Sequence, residues 1–170
     1  EETKKVIDVD GWFHTGDIGR LVDGKYLKIT DRKKEIFKTS GGKYIAPQVM
    51  ENRFKESRFI EQIMVIGEGE KHPAALIMPA EDSVKFWCTK HNINYTTLKK
   101  IIQNDAVIDR YNQEIEHYNS FFNPYERIKK IKLLPEPWSV DGGELTATMK
   151  LRRKNILEKY KKVCEDIYRS

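Results

Sequence analysis

Two short apolar runs constrain the fold of this chain most: Ile63–Ile66, which ends at Gly67, and Ala74–Met78, which ends at Pro79. The stretch between them, Glu68-Gly69-Glu70-Lys71-His72-Pro73, is polar and rich in turn formers. Short apolar runs stopped by Gly or Pro read as strands. A third strand is predicted over 128–134, after Asn123-Pro124 and before Pro135 and Pro137. Helical spacing fills the interval. Asp82 or Ser83 can cap a helix whose face is Val84, Trp87, Cys88 and His91. Thr96 or Thr97 starts another with Leu98, Ile101 and Ile102, and a longer helix from about Asn104 turns Ile108, Tyr111, Ile115 and Tyr118 inward. Ser139–Glu144 reads as an exposed loop. The closing helix aligns Ile156, Leu157, Tyr160, Val163, Cys164 and Ile167 in a buried stripe. Strands with interspersed helices predict an α+β fold, a small three-stranded sheet packed with helices plus β-hairpins.

The first 56 residues carry the hairpins. Arg20-Leu21-Val22 and Tyr26-Leu27-Lys28-Ile29 flank Asp23-Gly24, a strong two-residue turn signal. The charged run Asp31–Glu35 is a plausible joint between units. A second hairpin is predicted around Gly41-Gly42, with Ile36-Phe37-Lys38 and Lys43-Tyr44-Ile45 as its arms. Pro47 then opens a helix to about Glu56, with Val49, Met50, Arg53 and Phe54 at helical spacing.

Composition narrows the class. With 170 residues, 39% hydrophobic and 34% charged, the chain can bury one core of ordinary size. Its longest apolar runs are far too short to cross a bilayer. Glu1-Glu2-Thr3-Lys4-Lys5 is charged and no apolar segment follows, so no secretory signal is expected. A start without Met suggests an excised fragment. Cys88 and Cys164 have no metal-ligand spacing and read as small buried hydrophobes, with a reducing cytoplasm as the default setting. The net charge of +5 invites a nucleic-acid partner, but its distribution argues against one. Residues 150–170 carry eight Lys or Arg against three Asp or Glu, whereas residues 1–149 hold 23 of each sign. One basic segment is most simply a solvated helix face.

Three motifs could carry chemistry. Asp17, in His14-Thr15-Gly16-Asp17, follows a glycine that permits a left-handed turn, and its carboxylate suits a vicinal diol such as a ribose. Arg32, in Asp31-Arg32-Lys33-Lys34, provides a planar fork of donors, and the downstream Ser40-Gly41-Gly42-Lys43 lets backbone N–H groups approach a ligand. Lys150, in Leu145-Thr146-Ala147-Thr148-Met149-Lys150-Leu151-Arg152-Arg153, puts an ammonium on a flexible stem, suited to charge that develops on carboxylate and phosphate oxygens. Each has a plainer reading, as a turn, a hairpin or a surface lysine.

Taken together and in this order, the three motifs resemble the C-terminal end of the adenylate-forming enzymes, and most closely the long-chain fatty acyl-CoA synthetases. The branch is suggested by residues 31–38, Tyr44-Ile45-Ala46-Pro47 and residues 145–151. The resemblance covers essentially the whole chain. It departs from many relatives at two places, with Asp31-Arg32 and Met149-Lys150 where they have Gly-Arg and Gly-Lys.

The resemblance implies that Asp17 and Arg32 hold the ATP ribose, that Lys34 is the hinge, and that Ser40, Gly41, Gly42 and Lys43 line the pantetheine tunnel. It also implies that Lys150 is the catalytic lysine of adenylation. Residues 1–33 would then end a large N-terminal domain and residues 34–170 would form its mobile C-terminal lid. The implied cofactors and substrates are ATP with Mg2+, CoA and a fatty acid. No tight ligand and no resident metal is expected for this segment, which is expected to be inactive alone. The implied partner is the missing N-terminal domain, without nucleic acid, in the cytoplasm or peripherally at a membrane. Two alternatives stay open: a non-catalytic basic module for nucleic acid or an acidic partner, and an aryl- or amino-acid ligase.

Overall fold

The structure, a computed structural model, describes residues 6–169; the charged start at Glu1–Lys5 lies outside them. Strands β1 (Asp17–Val22) and β2 (Tyr26–Arg32) form an antiparallel ribbon. Asp23 and Gly24 both take positive φ, +53° and +66°, and the Lys25 N–H donates to the Val22 carbonyl at 3.1 Å. The Asp-Gly pair thus makes the turn it predicts, but with Val22 opposite Tyr26 the loop spans three residues, Asp23, Gly24 and Lys25, one more than expected. Leu21, Leu27 and Ile29 lie exposed on this ribbon. The second hairpin is β3 (Phe37–Lys38) with β4 (Tyr44–Ile45), and α1 (Pro47–Phe54) follows with Pro in its first turn.

The main sheet has the order β5-β6-β7. Strands β5 (Ile60–Ile66) and β6 (Ala74–Pro79) are antiparallel, with Ile63 opposite Ile77 and Ile66 opposite Ala74. Strand β7 (Lys130–Leu133) runs parallel to β6 after a helical crossover. The crossover comprises α2 (Glu81–Lys90), α3 (Leu98–Ile101) and α4 (Asp105–Asn119). Thr97 caps α3 through the Lys100 N–H and Asn104 caps α4 through the Ala106 N–H. Neither Asp82 nor Ser83 caps α2. That helix starts earlier, at Glu81 after Ala80, so Glu81 and Asp82 lie in its first turn, where their negative charge is favourable to the helix dipole.

The unbroken apolar runs are explained by cover on both sheet faces. Ile63, Val65, Ala75 and Ile77 point to one core, with Met50, Phe54, Val84, Cys88 and Tyr111. Met64, Ile66, Ala74, Leu76 and Met78 point to a second, with Trp138, Leu145, Ile156 and Ile167. Successive strand residues face opposite sides, so each run feeds two cores at once.

Several expectations are corrected. In α1 the buried positions are Pro47, Met50, Glu51 and Phe54, whereas Val49 is exposed. His91 is exposed beyond the end of α2. The buried stripe of α4 is Val107, Tyr111, Ile115 and Asn119, with Ile108 and Tyr118 on its flanks. The closing helix is two helices, α5 (Arg153–Lys159) and α6 (Lys161–Arg169), because Tyr160 leaves helical geometry at φ −106°, ψ 22°. Leu157, within α5, is 42% exposed rather than buried. The segment 139–144 is not wholly an exposed loop, since Glu144 is buried.

Asn119 is buried because its side-chain amide substitutes for a strand partner. It donates to the Ile128 carbonyl and accepts from the Ile128 N–H, both at 2.9 Å. Asn119→Ala would orphan both backbone groups and should cost roughly 1–3 kcal/mol, read as a lower urea midpoint at unchanged m. A loss inside the error of the wild-type midpoint would show that Ile128 finds other partners.

Candidate functional site

The predicted site residues stand on three separate loops. Gly16 has φ +74° and delivers Asp17 to the start of β1, where the Asp17 N–H donates to Thr15 Oγ1 at 3.1 Å. Asp17 and Arg32 are cross-strand partners, and Arg32 Nε lies 3.4 Å from Asp17 Oδ1. A carboxylate beside a guanidinium presents acceptor and donors at one place, a combination that suits sugar hydroxyls. The Lys33 N–H donates to the Gly16 carbonyl at 2.8 Å, and the Glu35 N–H to the Arg32 carbonyl at 2.9 Å. Lys34 therefore sits exposed in the turn that leaves β2.

The glycine hairpin is closed by Thr39. Its N–H donates to the Lys43 carbonyl at 2.9 Å, and its Oγ1 accepts from the Lys43 N–H at 3.2 Å. Gly42 has φ +78°, the left-handed region, and its N–H donates to the Thr39 carbonyl at 2.9 Å. The Ser40 N–H donates to the Glu70 carbonyl at 2.9 Å, and the Gly69 N–H donates back to the Lys38 carbonyl at 2.9 Å. Two of the N–H groups considered for an anion cradle are thus spent on protein carbonyls. What the glycines leave is open space, since a Cβ on Gly41 would meet only Thr39 Oγ1, at 4.0 Å. Lys43 lies over the Tyr125 ring, 5.5 Å from its centroid.

Lys150 follows a tight turn bounded by the Leu145–Leu151 bridge. The Thr146 N–H donates to the Lys150 carbonyl and the Met149 N–H to the Thr146 carbonyl, both at 2.8 Å. Thr146 Oγ1 accepts from the Lys150 N–H at 3.0 Å and also meets Thr148 Oγ1 at 3.0 Å. Lys150 is exposed and forms no ion pair among the described residues.

Two buried carboxylates anchor this turn, and neither stands out by motif. Glu144, 1% exposed, meets Lys159 Nζ at 2.5 Å and accepts from the Ser139 N–H at 3.2 Å; its carbonyl accepts from the Arg152 N–H at 2.7 Å. Burial opposes its charge, yet Lys159 and the Ser139 N–H outweigh that and hold the carboxyl below the usual range. Glu51, 5% exposed, pairs with Arg153 and accepts from the Val65 N–H at 2.7 Å. Arg153 also donates to the Val65 carbonyl at 3.0 Å and reaches Glu35 Oε2 at 3.3 Å, which takes a further bond from Gln48 Nε2 at 2.8 Å. Burial dominates at Glu51 and pushes its carboxyl up to about 7, against the pull of Arg153 and the Val65 N–H. One signal for Glu51 was available: with Pro47, Met50 and Phe54 it completes the helical stripe, so a carboxylate there needs a partner.

Beside this network a groove of about 690 Å³ runs between the Lys34–Phe37 segment, β5 and α5–α6. Its walls include Ile66, Leu157, Lys161 and Tyr168. Among the described residues no group of three or more His, Cys, Asp or Glu is arranged to hold a metal ion, and no helix is long and apolar enough to cross a membrane.

The family model of the AMP-binding enzyme C-terminal domain matches residues 34–170. The chain belongs to the AMP-binding enzymes. It is 34% identical to long-chain-fatty-acid–CoA ligase 5 of Rattus norvegicus, over all of this chain and 25% of that protein. It is 36% identical to human long-chain-fatty-acid–CoA ligase 6, over 99% of this chain and 24% of that protein. The chain therefore spans about a quarter of the length of the curated relatives it matches. In structure it resembles the adenylation domain of a carboxylate reductase from Mycobacterium chelonae, with TM-score 0.82 and 23% identity over 99% of this chain and 25% of that one. The fold is the α+β fold of AMP-binding C-terminal domains.

Membership in the AMP-binding family gives meaning to Met149. It departs from the Gly-Lys pair that the sequence resemblance leads one to expect, and its φ is +60°. That conformation is one glycine adopts freely and methionine rarely does. The backbone at Met149 therefore has the shape of a glycine turn.

Glu51 makes the stability of this AMP-binding domain depend on pH. Its carboxyl sits near 7 when folded against an ordinary 4.5, so between those values the folded chain holds a proton that the unfolded chain has released. Stability should therefore fall as pH rises from 4.5 through 7, by on the order of 1–3 kcal/mol. Melting temperatures from pH 5 to 8 should show this fall, and Glu51→Gln should flatten it. Parallel curves for the two proteins would assign the slope to other groups.

Proposed function

We propose that this chain is the C-terminal domain of an ATP-dependent long-chain fatty acid–CoA ligase. The carrying observation is identity of 34–36% to long-chain-fatty-acid–CoA ligases along essentially its whole length. Identity to the carboxylate reductase adenylation domains is lower, at 22–23%, and supports the fold only. Residues 1–33 close the large domain and residues 34–170 form the lid. The exposed β1–β2 ribbon, which contributes to neither core, supports that division. No observation favours the basic binding module.

The reaction has two steps. The fatty carboxylate attacks the α-phosphate of Mg-ATP and pyrophosphate leaves; CoA thiolate then displaces AMP from the acyl-adenylate. Asp17 and Arg32 hold the ribose hydroxyls, and Lys150 offsets the charge that builds on the transferring phosphate. Rotation about Lys34 then withdraws Lys150 and presents the Ser40–Lys43 hairpin, whose open face at Gly41 admits the narrow pantetheine arm. Closure of either kind excludes water from a reactive mixed anhydride. The rest of the active site lies in the large domain, so this chain alone is inactive.

In the full-length enzyme, Lys150→Ala should lower the rate of adenylation, followed by pyrophosphate exchange, by about 10²–10³-fold. Thioester formation from supplied acyl-adenylate should be spared. Equal loss of both half-reactions would remove Lys150 from this role.

A further inference from the structure

Lys150 must be placed to act, yet its own turn is exposed; Leu145 and Glu144 fasten that turn to the second core and to α5, and neither reaches the hinge side of the domain. The only charged group that joins this region to the hinge side among the described contacts is Arg153, three residues on, at the first position of α5. Its guanidinium spends its donors on three separate elements. Glu35, one residue beyond Lys34, takes one bond at 3.3 Å; Glu51 of α1 takes another; the Val65 carbonyl of β5 takes a third at 3.0 Å. Glu35 is in turn held by Gln48 Nε2 at 2.8 Å. The arginine is 16% exposed, so these bonds are made where water competes poorly. Only a planar fork with several donors can serve three acceptors set by different segments.

We infer that Arg153 is a positioning residue for adenylation, coupling the segment just past the hinge to the loop that carries Lys150, so that rotation at Lys34 is transmitted to the lysine without slack. The inference rests on the ligase reading above and adds a role for residues that the three motifs do not include. Glu35 is the hinge-side grip and Arg153 the loop-side grip of one link. Without that link the lysine turn is still formed, by Thr146 and the Leu145–Leu151 bridge, and still held on the second core by Leu145, but its direct tie to the segment past the hinge is gone.

The test uses the full-length enzyme with Glu35→Gln, Arg153→Lys and the double variant. Glu35 is half-buried, and Glu35→Gln keeps its size while removing the charge that grips Arg153, so the fold is kept and the ion pair is cut; a melting temperature accompanies each rate. Each single variant should lower kcat for adenylation by on the order of 10-fold to 10²-fold, as displacement of a catalytic group by about 1 Å does. KM for ATP and thioester formation from supplied acyl-adenylate should stay within about twofold of wild type. The double variant should be no slower than the slower single variant, because both cut one link. Adenylation at the wild-type rate in Glu35→Gln, additive losses in the double variant, or an equal fall of both half-reactions that tracks the melting temperature would each overturn the inference. If Lys150→Ala left adenylation intact in the same assays, the ligase reading of the lysine would fall instead.

Discussion

The pairing of Arg153 with Glu51 is the interaction on which the rest of the domain is hung. Four segments converge on it: the exit from β2 through Glu35, helix α1 through Glu51, strand β5 through both backbone groups of Val65, and the start of α5. A single buried carboxylate would be costly, and a single buried guanidinium more so. Together with the Val65 N–H and carbonyl they satisfy one another, and the second carboxylate of Glu35 keeps Arg153 partnered even when Glu51 holds a proton. Polar contacts of this kind contribute little net stability, but they accept only one arrangement of the segments that meet there. The apolar cores on either side of the sheet supply the driving force; this cluster selects the register of α1 and α5 against β5.

Around that cluster the sheet acts as a wall between two cores that never meet. Its alternating residues serve helices α1, α2 and α4 on one face and α5–α6 on the other. The glycine hairpin is bonded to the β5–β6 turn through Ser40 and Gly69, whereas the Lys150 turn is anchored through Glu144 to α5. Both functional loops are therefore fastened to one rigid layered body while standing on separate supports. The proposed mechanism, in which the domain serves two orientations, needs this property, since either loop must keep its shape while the other is engaged.

Features set by neighbours in sequence were legible. Asp23-Gly24 specified its turn, Gly41-Gly42 marked the second hairpin, and the apolar runs at 63–66 and 74–78 marked two strands of the sheet. The order of three motifs identified the family, and the structure places Asp17 beside Arg32. Features set by partners distant in sequence were not legible. Glu51 and Arg153 are 102 positions apart; the stripe of α1 marks Glu51 as needing a partner, but nothing near it in sequence names Arg153. Glu144 sits in a polar stretch that looks solvated until Lys159 closes over it. Asn119 takes a stripe position because Ile128 needs its amide, which displaced the expected apolar phase of α4. The break at Tyr160 has no glycine or proline to announce it. At Glu51, Glu144 and Asn119 a polar side chain meets a partner supplied by the fold, and that partner is invisible before the fold exists.

The β1–β2 ribbon leaves apolar surface uncovered. It is a two-stranded ribbon with no third strand beside it among the described residues, and Leu21, Leu27 and Ile29 stand uncovered on it. Two open strand edges next to bare apolar side chains are a template onto which another copy can add its own ribbon. Self-association of the free segment would thus start at its first hairpin while both cores remain intact. Shortening the segment to begin near the hinge would remove the adhesive part and leave the layered body behind.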